Sequence, residues 1–413
     1  MTSPQSPARG IAAYRALPRV AGWSYLFATS LGRLPMSMVP LAILTLATSA
    51  TGSIAVGGFA AAAAAAGEAI GAPLSGTLAD RRGQRVVLLI AVVLHVSLLI
   101  AFTFGAGVLP NGATVALAGL AGLTLPQVGA LSRARWLAIT SEDLPAAFAF
   151  EGVVDEMVYI FGPALVGITA AFVAPQAAVL LAAVLIAVFA TQFAVHGSHR
   201  LVPRRTPRAD AADAAPARPG RRLLVAVVFL GFVSMGVFFG GSQTGLTAFA
   251  EVAGIPDAGA LLYAVMAVGS AVTTVAMVLV PERIGRWTRW AVAAAGMTAG
   301  SLLMLAAPGI PWVIAAALVA GAFQGPLLLT IFGVVGSIAE QGRAGVLMTL
   351  TASGVVVGIG AGSAVAGPLA QANGPAGAFA VVVTASVVLL SIGVVSAVAA
   401  WLRGRRATAD LGG

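Results

Sequence analysis

The chain has 413 residues, 59% of them apolar and only 9% charged, with a formal net charge of +9 whose basic side is entirely arginine. So little charge excludes a soluble domain, a fibre or a disordered chain, all of which need far more solvated surface. The absence of cysteine excludes disulfides, thiol catalysis and thiolate metal sites.

Apolar runs of about 20 residues, enough for a helix to cross a bilayer, recur along the chain. They do not alternate as membrane β-strands do, so helices are expected. Residues 1–19 form an expected N-terminal tail, and no cleavable signal peptide is expected because the first apolar run is too long for one. Six spans are expected at 20–48, 54–78, 86–106, 113–136, 147–173 and 176–196. A linker over 197–221 follows, rich in Ala, Pro and Arg and too poor in apolar residues for a core. Six more spans are expected at 222–249, 259–280, 290–307, 312–336, 345–370 and 376–402, before a tail over 403–413. The expected fold is an all-α membrane protein with twelve transmembrane helices in two six-helix bundles, 20–196 and 222–402.

Arginine orients this arrangement. Arg81, Arg82, Arg85, Arg200, Arg204, Arg205, Arg208, Arg286 and Arg289 fall in one set of loops, while the loops near residues 50, 109, 174, 254, 309 and 373 carry none. The positive-inside rule then places both termini and the linker in the cytoplasm, around a multi-pass protein of the cell membrane. Arginines spread over loops between apolar spans argue for a lipid bilayer as partner, and against nucleic acid. The halves also repeat. Pro126 and Pro326, Asp80-Arg81-Arg82-Gly83 and Glu282-Arg283-Ile284-Gly285, and Gly162-Pro163 and Gly367-Pro368 match at offsets of 200, 202 and 205. Three matches at nearly one offset argue for a duplicated unit with a site at the interface of its copies.

The stretch Gly76-Thr77-Leu78-Ala79-Asp80-Arg81-Arg82-Gly83-Gln84-Arg85 resembles the signature Gly-x-Leu-x-Asp-Arg-x-Gly-x-Arg of the major facilitator superfamily of secondary transporters, matching every fixed position. Its repeat is degraded, with Val278 in place of the glycine and Trp287 in place of the last arginine. Gly162, Pro163 and Gly167 resemble the Gly-Pro element of exporters that exchange substrate for protons, although Phe161 and Leu165 stand where small residues are often found. The resemblance covers residues 20–402 and implies alternating access between two bundles, with a proton gradient as the energy source.

The signature loop has physical work that the family does not define. Gly76 would allow close helix approach and Gly83 a tight turn, and Asp80 could pair with Arg81 or Arg85 or cap a helix, latching one conformation. The plainer reading is that these arginines only set topology. Charges inside a membrane are costly and are functional candidates by default. Glu151, Asp155 and Glu156 lie in the fifth span, with Glu151, Asp155, Tyr159 and Gly162 on one stripe. Arg33, about 16 Å into the first span by helical rise, is expected to pair with Asp155 or Glu156. Arg133 and Arg135 are expected to pair with Glu151. A carboxylate that alternates between an arginine and a proton would couple transport to a gradient; the plainer reading is a fixed ion pair joining the first, fourth and fifth spans. Glu68, in the second span, is a separate candidate for a proton or cation, or else an acid facing a wet cavity.

The second half has almost no intramembrane charge. Gln243 and Gln324, with Phe239, Tyr263 and, from the first half, Tyr159, would suit an uncharged or amphipathic ligand near the midplane. Individually these residues could simply pack helices. Gly358-Ile359-Gly360-Ala361-Gly362 lacks the preceding strand of a dinucleotide loop and is expected to pack helices. His196 and His199 lack a third metal ligand, and His95 is expected at a buried helix contact. No nucleophile–base set, phosphate loop or His-Glu-x-x-His pattern is present, so no enzyme, metal or cofactor is expected. The favoured function is proton-coupled antiport exporting small amphipathic molecules by a monomer. The alternatives are a sugar-like nutrient importer or uniporter, and a non-transporting membrane receptor or scaffold.

Overall fold

A computed structural model describes residues 15–140, 143–202, 219–277, 284–338 and 344–409. Among these residues the regular structure is helical throughout. Five helices and one short-looped sixth make the first half: α1 (Trp23–Thr51), α2 (Ile54–Arg82), α3 (Gln84–Gly105), α4 (Asn111–Ile139), α5 (Leu144–Phe172) and α6 (Pro175–Val195). The second half holds α7 (Pro219–Val252), α8 (Gly259–Ala276), α9 (Arg286–Leu305), α10 (Ile310–Ile338), α11 (Ala344–Asn373) and α12 (Pro375–Ala409). Ten described helices are long and apolar enough to cross a membrane. The other two, α8 and α9, stand where the eighth and ninth spans are expected. Three expected boundaries move. The linker shortens at both ends, because Gly197–Arg200 form a 3-10 turn and α7 already starts at Pro219, and α12 carries the expected tail on to Ala409.

Three helices are broken, each for a local reason. α1 is interrupted at Gly32 and Arg33, just before Pro35 opens its second segment. α4 divides into Asn111–Leu123 and Val128–Ile139 around Pro126. α6 carries a π-helical turn over Ile186–Ala190. The α1 break and the π turn meet: a Cβ at Gly32 would lie 3.4 Å from the backbone of both Phe189 and Ala190. The break is thus held open by a neighbouring helix, and it presents Arg33 to the interior.

Within lipid, helices gain little from apolar burial against one another and pack through small residues. α7 and α11 cross in this way. A Cβ at Gly358 would meet the α7 backbone at Gly236 and Val237, so the glycine-rich stretch around Gly360 is a packing surface, as expected. Between the halves, α2 packs on α11 and α5 on α8. These contacts are tightest at the arginine-free end. A Cβ at Gly58 would lie 2.6 Å from the Ser363 carbonyl oxygen, one at Gly167 would lie 2.6 Å from Leu261 Cα, and Ser53 Oγ donates to Gln371 Oε1 at 3.2 Å. At the arginine-rich end the space opens. A Cβ at Gly76 of α2 or Gly152 of α5 would meet no described atom within 4 Å. Among the described residues, the halves therefore close at the arginine-free end and part toward the basic end.

Candidate functional site

The break in α1 and the second segment of α4 bring four charges together against α5. Arg33 and Glu151 form an ion pair whose side chains are 2% and 1% exposed. Arg33 also donates from Nη1 to Asp155 Oδ1 at 3.0 Å and from Nη2 to Thr29 Oγ1 at 3.1 Å. Asp155, 29% exposed, pairs through its other oxygen with Arg133, which is 44% exposed. Glu151 Oε1 accepts from Ser132 Oγ and Trp136 Nε1, both at 2.8 Å. Tyr25 OH lies 2.8 Å from Ser132 Oγ, and its ring meets Trp136 edge-on at 5.1 Å. Glu151 is thus saturated with donors in a dry setting, whereas Asp155 bridges a buried guanidinium and a half-exposed one. The two acids are one helical turn apart but have different access to water.

The expected pairing of Arg33 with Asp155 is present, and Glu151 joins it. The side chain of Glu156 lies outside the described residues. The expected pairing of Arg133 and Arg135 with Glu151 is corrected. Arg133 pairs with Asp155, and Arg135 turns away from the acids altogether. It donates to Gln84 Oε1 at 2.8 Å, to the Phe193 carbonyl at 2.6 Å and to Ser198 Oγ at 3.2 Å, and its guanidinium lies 3.7 Å from the Phe193 ring centroid. The reason is helical phase. Residues two apart on a helix point to nearly opposite faces, so only one of the two arginines can face α5. Beside Arg135, burial first and the guanidinium second hold the His196 imidazole below its usual range. His196 and His199 bond locally, to Ser198 Oγ and to the His196 carbonyl.

Ser132, Trp136, Tyr25 and Thr29 belong to the cluster, and sequence reading left them out. Their signal was spacing: Tyr25, Thr29 and Arg33 stand at i, i+4 and i+8, and Ser132 and Trp136 share a face of α4.

Further along α5, Gly162 packs on α1, where a Cβ would run into Ser37. Pro163 removes an N–H from the helix, and Ser37 Oγ donates to the adjacent Val158 carbonyl at 2.7 Å. One turn before Pro163, Tyr159 lines a small pocket between the halves with Phe239, Ala267, Ser270, Gln324 and Leu328. Three of the expected binding residues, Tyr159, Phe239 and Gln324, therefore come together. Gln243 and Tyr263 are buried, 5% and 8% exposed. The Oε1 atoms of Gln243 and Gln324 are buried without a hydrogen-bond partner among the described residues, a costly state that a ligand donor would relieve.

The signature loop is disengaged. Asp80, Arg81 and Arg85 are exposed and make no ion pair among the described residues, which corrects the expected pairing in this conformation. Asp80 does not cap a helix either. It sits in the last turn of α2, whose C-cap is Gly83 with φ 93°, so the expected glycine turn is present. The expected close approach at Gly76 is not made by any described residue. Glu282, in the repeat of this loop, lies outside the described residues. Glu68 is 8% exposed, in α2. His95 sits at a helix contact, as expected, with Nδ1 2.7 Å from the Ala121 carbonyl.

Comparison with known proteins follows the same lines. The sequence profile of the Major Facilitator Superfamily matches residues 25–353. A search of curated proteins finds no match. Among solved structures, a peptide transporter POT in complex with sulfate superposes with a TM-score of 0.68 at 14% identity, covering 96% of this chain and 99% of that one. The nucleoside transporter NupG gives 0.63 at 12% identity, over 90% and 97%. The human organic anion transporter MFSD10 (TETRAN) gives 0.59 at 17% identity, over 94% and 99%. At these identities the likeness is one of fold.

Proposed function

Because this chain belongs to the Major Facilitator Superfamily, and so to a family of multi-pass membrane transporters, we propose that it is a proton-coupled antiporter that exports small amphipathic organic molecules. The observation that carries the proposal is that a single helix, α5, bears both kinds of site. Its basic end holds Glu151 and Asp155 against Arg33 and Arg133, and its middle contributes Tyr159 to the apolar pocket of Phe239 and Gln324. A proton arriving at Asp155 would cancel the charge that binds α5 to both α1 and α4. The freed helix could then shift its pocket-lining middle about Gly162 and Pro163. Asp155 suits this role better than Glu151 because it is reachable by water and is held by fewer donors. The basic end is assigned to the cytoplasm by the arginine asymmetry, so the open face receives substrate from inside the cell.

The peptide and nucleoside carriers of similar fold keep polar cargo in view as a second reading. The pocket favours the first, since its lining is aromatic and aliphatic apart from Gln324 and Ser270. The test is reconstitution into liposomes with an imposed pH gradient, against lipophilic cations, neutral drugs, sugars and dipeptides. Gradient-dependent movement of an amphipathic compound, lost in Asp155→Asn, is the expected result. Counterflow that ignores the gradient would replace antiport with facilitated passage, and movement of dipeptides or sugars alone would replace the substrate class.

A further inference from the structure

Between the α2–α3 turn and the segment following α6 lies a cavity of about 670 Å3, separate from the charge cluster and the midplane pocket. Its polar lining is Arg82, Gln84, Arg85, His199 and Arg200, and its apolar lining is Val86 and Val202. Among the described residues no acid lines it, and no carboxylate pairs with Arg82, Arg85 or Arg200. α3 begins at its wall, after Gly83, with no side chain capping the N–H groups of the first turn, which leaves that terminus receptive to an anion.

Gln84 points to a ligand independently. It is 3% exposed, and its Oε1 accepts from Arg135 Nε at 2.8 Å. An arginine can only donate, so the amide must turn its oxygen to Arg135 and its NH2 away. That Nε2 is buried and has no hydrogen-bond partner among the described residues. Arg135 is itself fixed by the Phe193 carbonyl, Ser198 and the Phe193 ring, so the orphaned donor is held in place rather than free to swing into water.

We propose that this cavity binds a phosphate-class oxyanion. The Gln84 amide, the first turn of α3 and the three arginines supply the donors, and Arg135 acts as a positioning residue. A lipid phosphodiester fits the additional lining by Val86 and Val202 at the junction of two membrane spans, while free phosphate would satisfy the same donors. An occupant would tie the signature loop to the segment after α6 within one half of the molecule.

The experiment follows the thermal unfolding midpoint of the full chain in non-ionic detergent. It is titrated with phosphatidylglycerol, phosphatidylcholine or sodium phosphate at matched ionic strength. The half-saturating phosphatidylglycerol concentration is expected to rise about fivefold for each arginine removed in Arg85→Gln and Arg200→Gln, and to stay unchanged in Arg286→Gln, on another loop. Gln84→Leu is expected to weaken the response with the cavity charge intact. A response to phosphatidylglycerol alone assigns the site to lipid, and one to sodium phosphate as well assigns it to the free anion too. An equal response to phosphatidylcholine, no response to either phosphate probe, or a response unchanged in the arginine variants would overturn the proposal.

Discussion

Glu151 and Asp155 share a helix face and an arginine, yet the donors around them assign different work. Glu151 takes bonds from Arg33, Ser132 and Trp136 at 1% exposure, so its charge is built into the fold. Replacing it by Leu would leave the buried Arg33 with Asp155 as its one acid and take the carboxylate acceptor from Ser132 and Trp136, and should cost about 3–5 kcal/mol, read as a sharp fall in detergent-solubilised thermal stability. Asp155→Asn leaves Arg33 paired with Glu151 and should shift the midpoint only slightly, while abolishing gradient-driven transport. The reverse ordering of the two stabilities would contradict this division. The sequence made the intramembrane acids and Arg33 visible, because charge in an apolar run has few innocent explanations. It could not show which of Arg133 and Arg135 faces α5, because the break at Pro126 resets the helical phase of everything that follows it.

At the scale of elements, α5 is the part that every proposed step shares. Its basic end carries the acids, its centre carries Gly162 and Pro163, and its far end crosses α8 backbone to backbone at Gly167. A side chain there has nowhere to go, since its Cβ would lie 2.6 Å from the Leu261 main chain and no rotamer can relieve a clash at Cβ. Gly167→Val should therefore pry the α5–α8 crossing apart and disfavour the form closed at the arginine-free end. In a chain without native cysteine, a single reporter thiol near Leu261 should become more reactive toward a water-soluble maleimide in that variant, and transport should slow severalfold. Unchanged reactivity would mean that α5 and α8 yield elsewhere. The Gly-Pro element was legible by its residues and by its repeat at Gly367-Pro368. Its partner surfaces were not, because periodicity reports a face but not the helix that covers it.

For the whole molecule, the two ends differ in kind. At the arginine-free end the halves are joined by glycine crossings and the Ser53–Gln371 hydrogen bond, while at the basic end the signature loop makes no ion pair among the described residues. Any latch involving Asp80 must act when the basic end closes. Asp80→Asn should therefore leave the stability of this conformation unchanged while slowing the cycle, which initial transport rates and a melting curve on the same preparation would separate. The duplicated architecture could be read from the three repeated motifs, but which end was shut could not, because a sequence encodes both conformations of a transporter at once. The same asymmetry gives the sharpest test of alternating access. Ser53 and Gln371 face each other across the halves at 3.2 Å between side-chain oxygens, so Ser53→Cys with Gln371→Cys should cross-link under mild oxidant while the basic end is open. Cross-linking should stop transport and reducing agent should restore it, because the cycle requires this end to separate. Substrate added outside should slow the cross-linking by drawing the population into the opposite form. Full transport with the bridge intact would show that the halves do not need to part at this end, and the rocking of one bundle against the other would have to be abandoned.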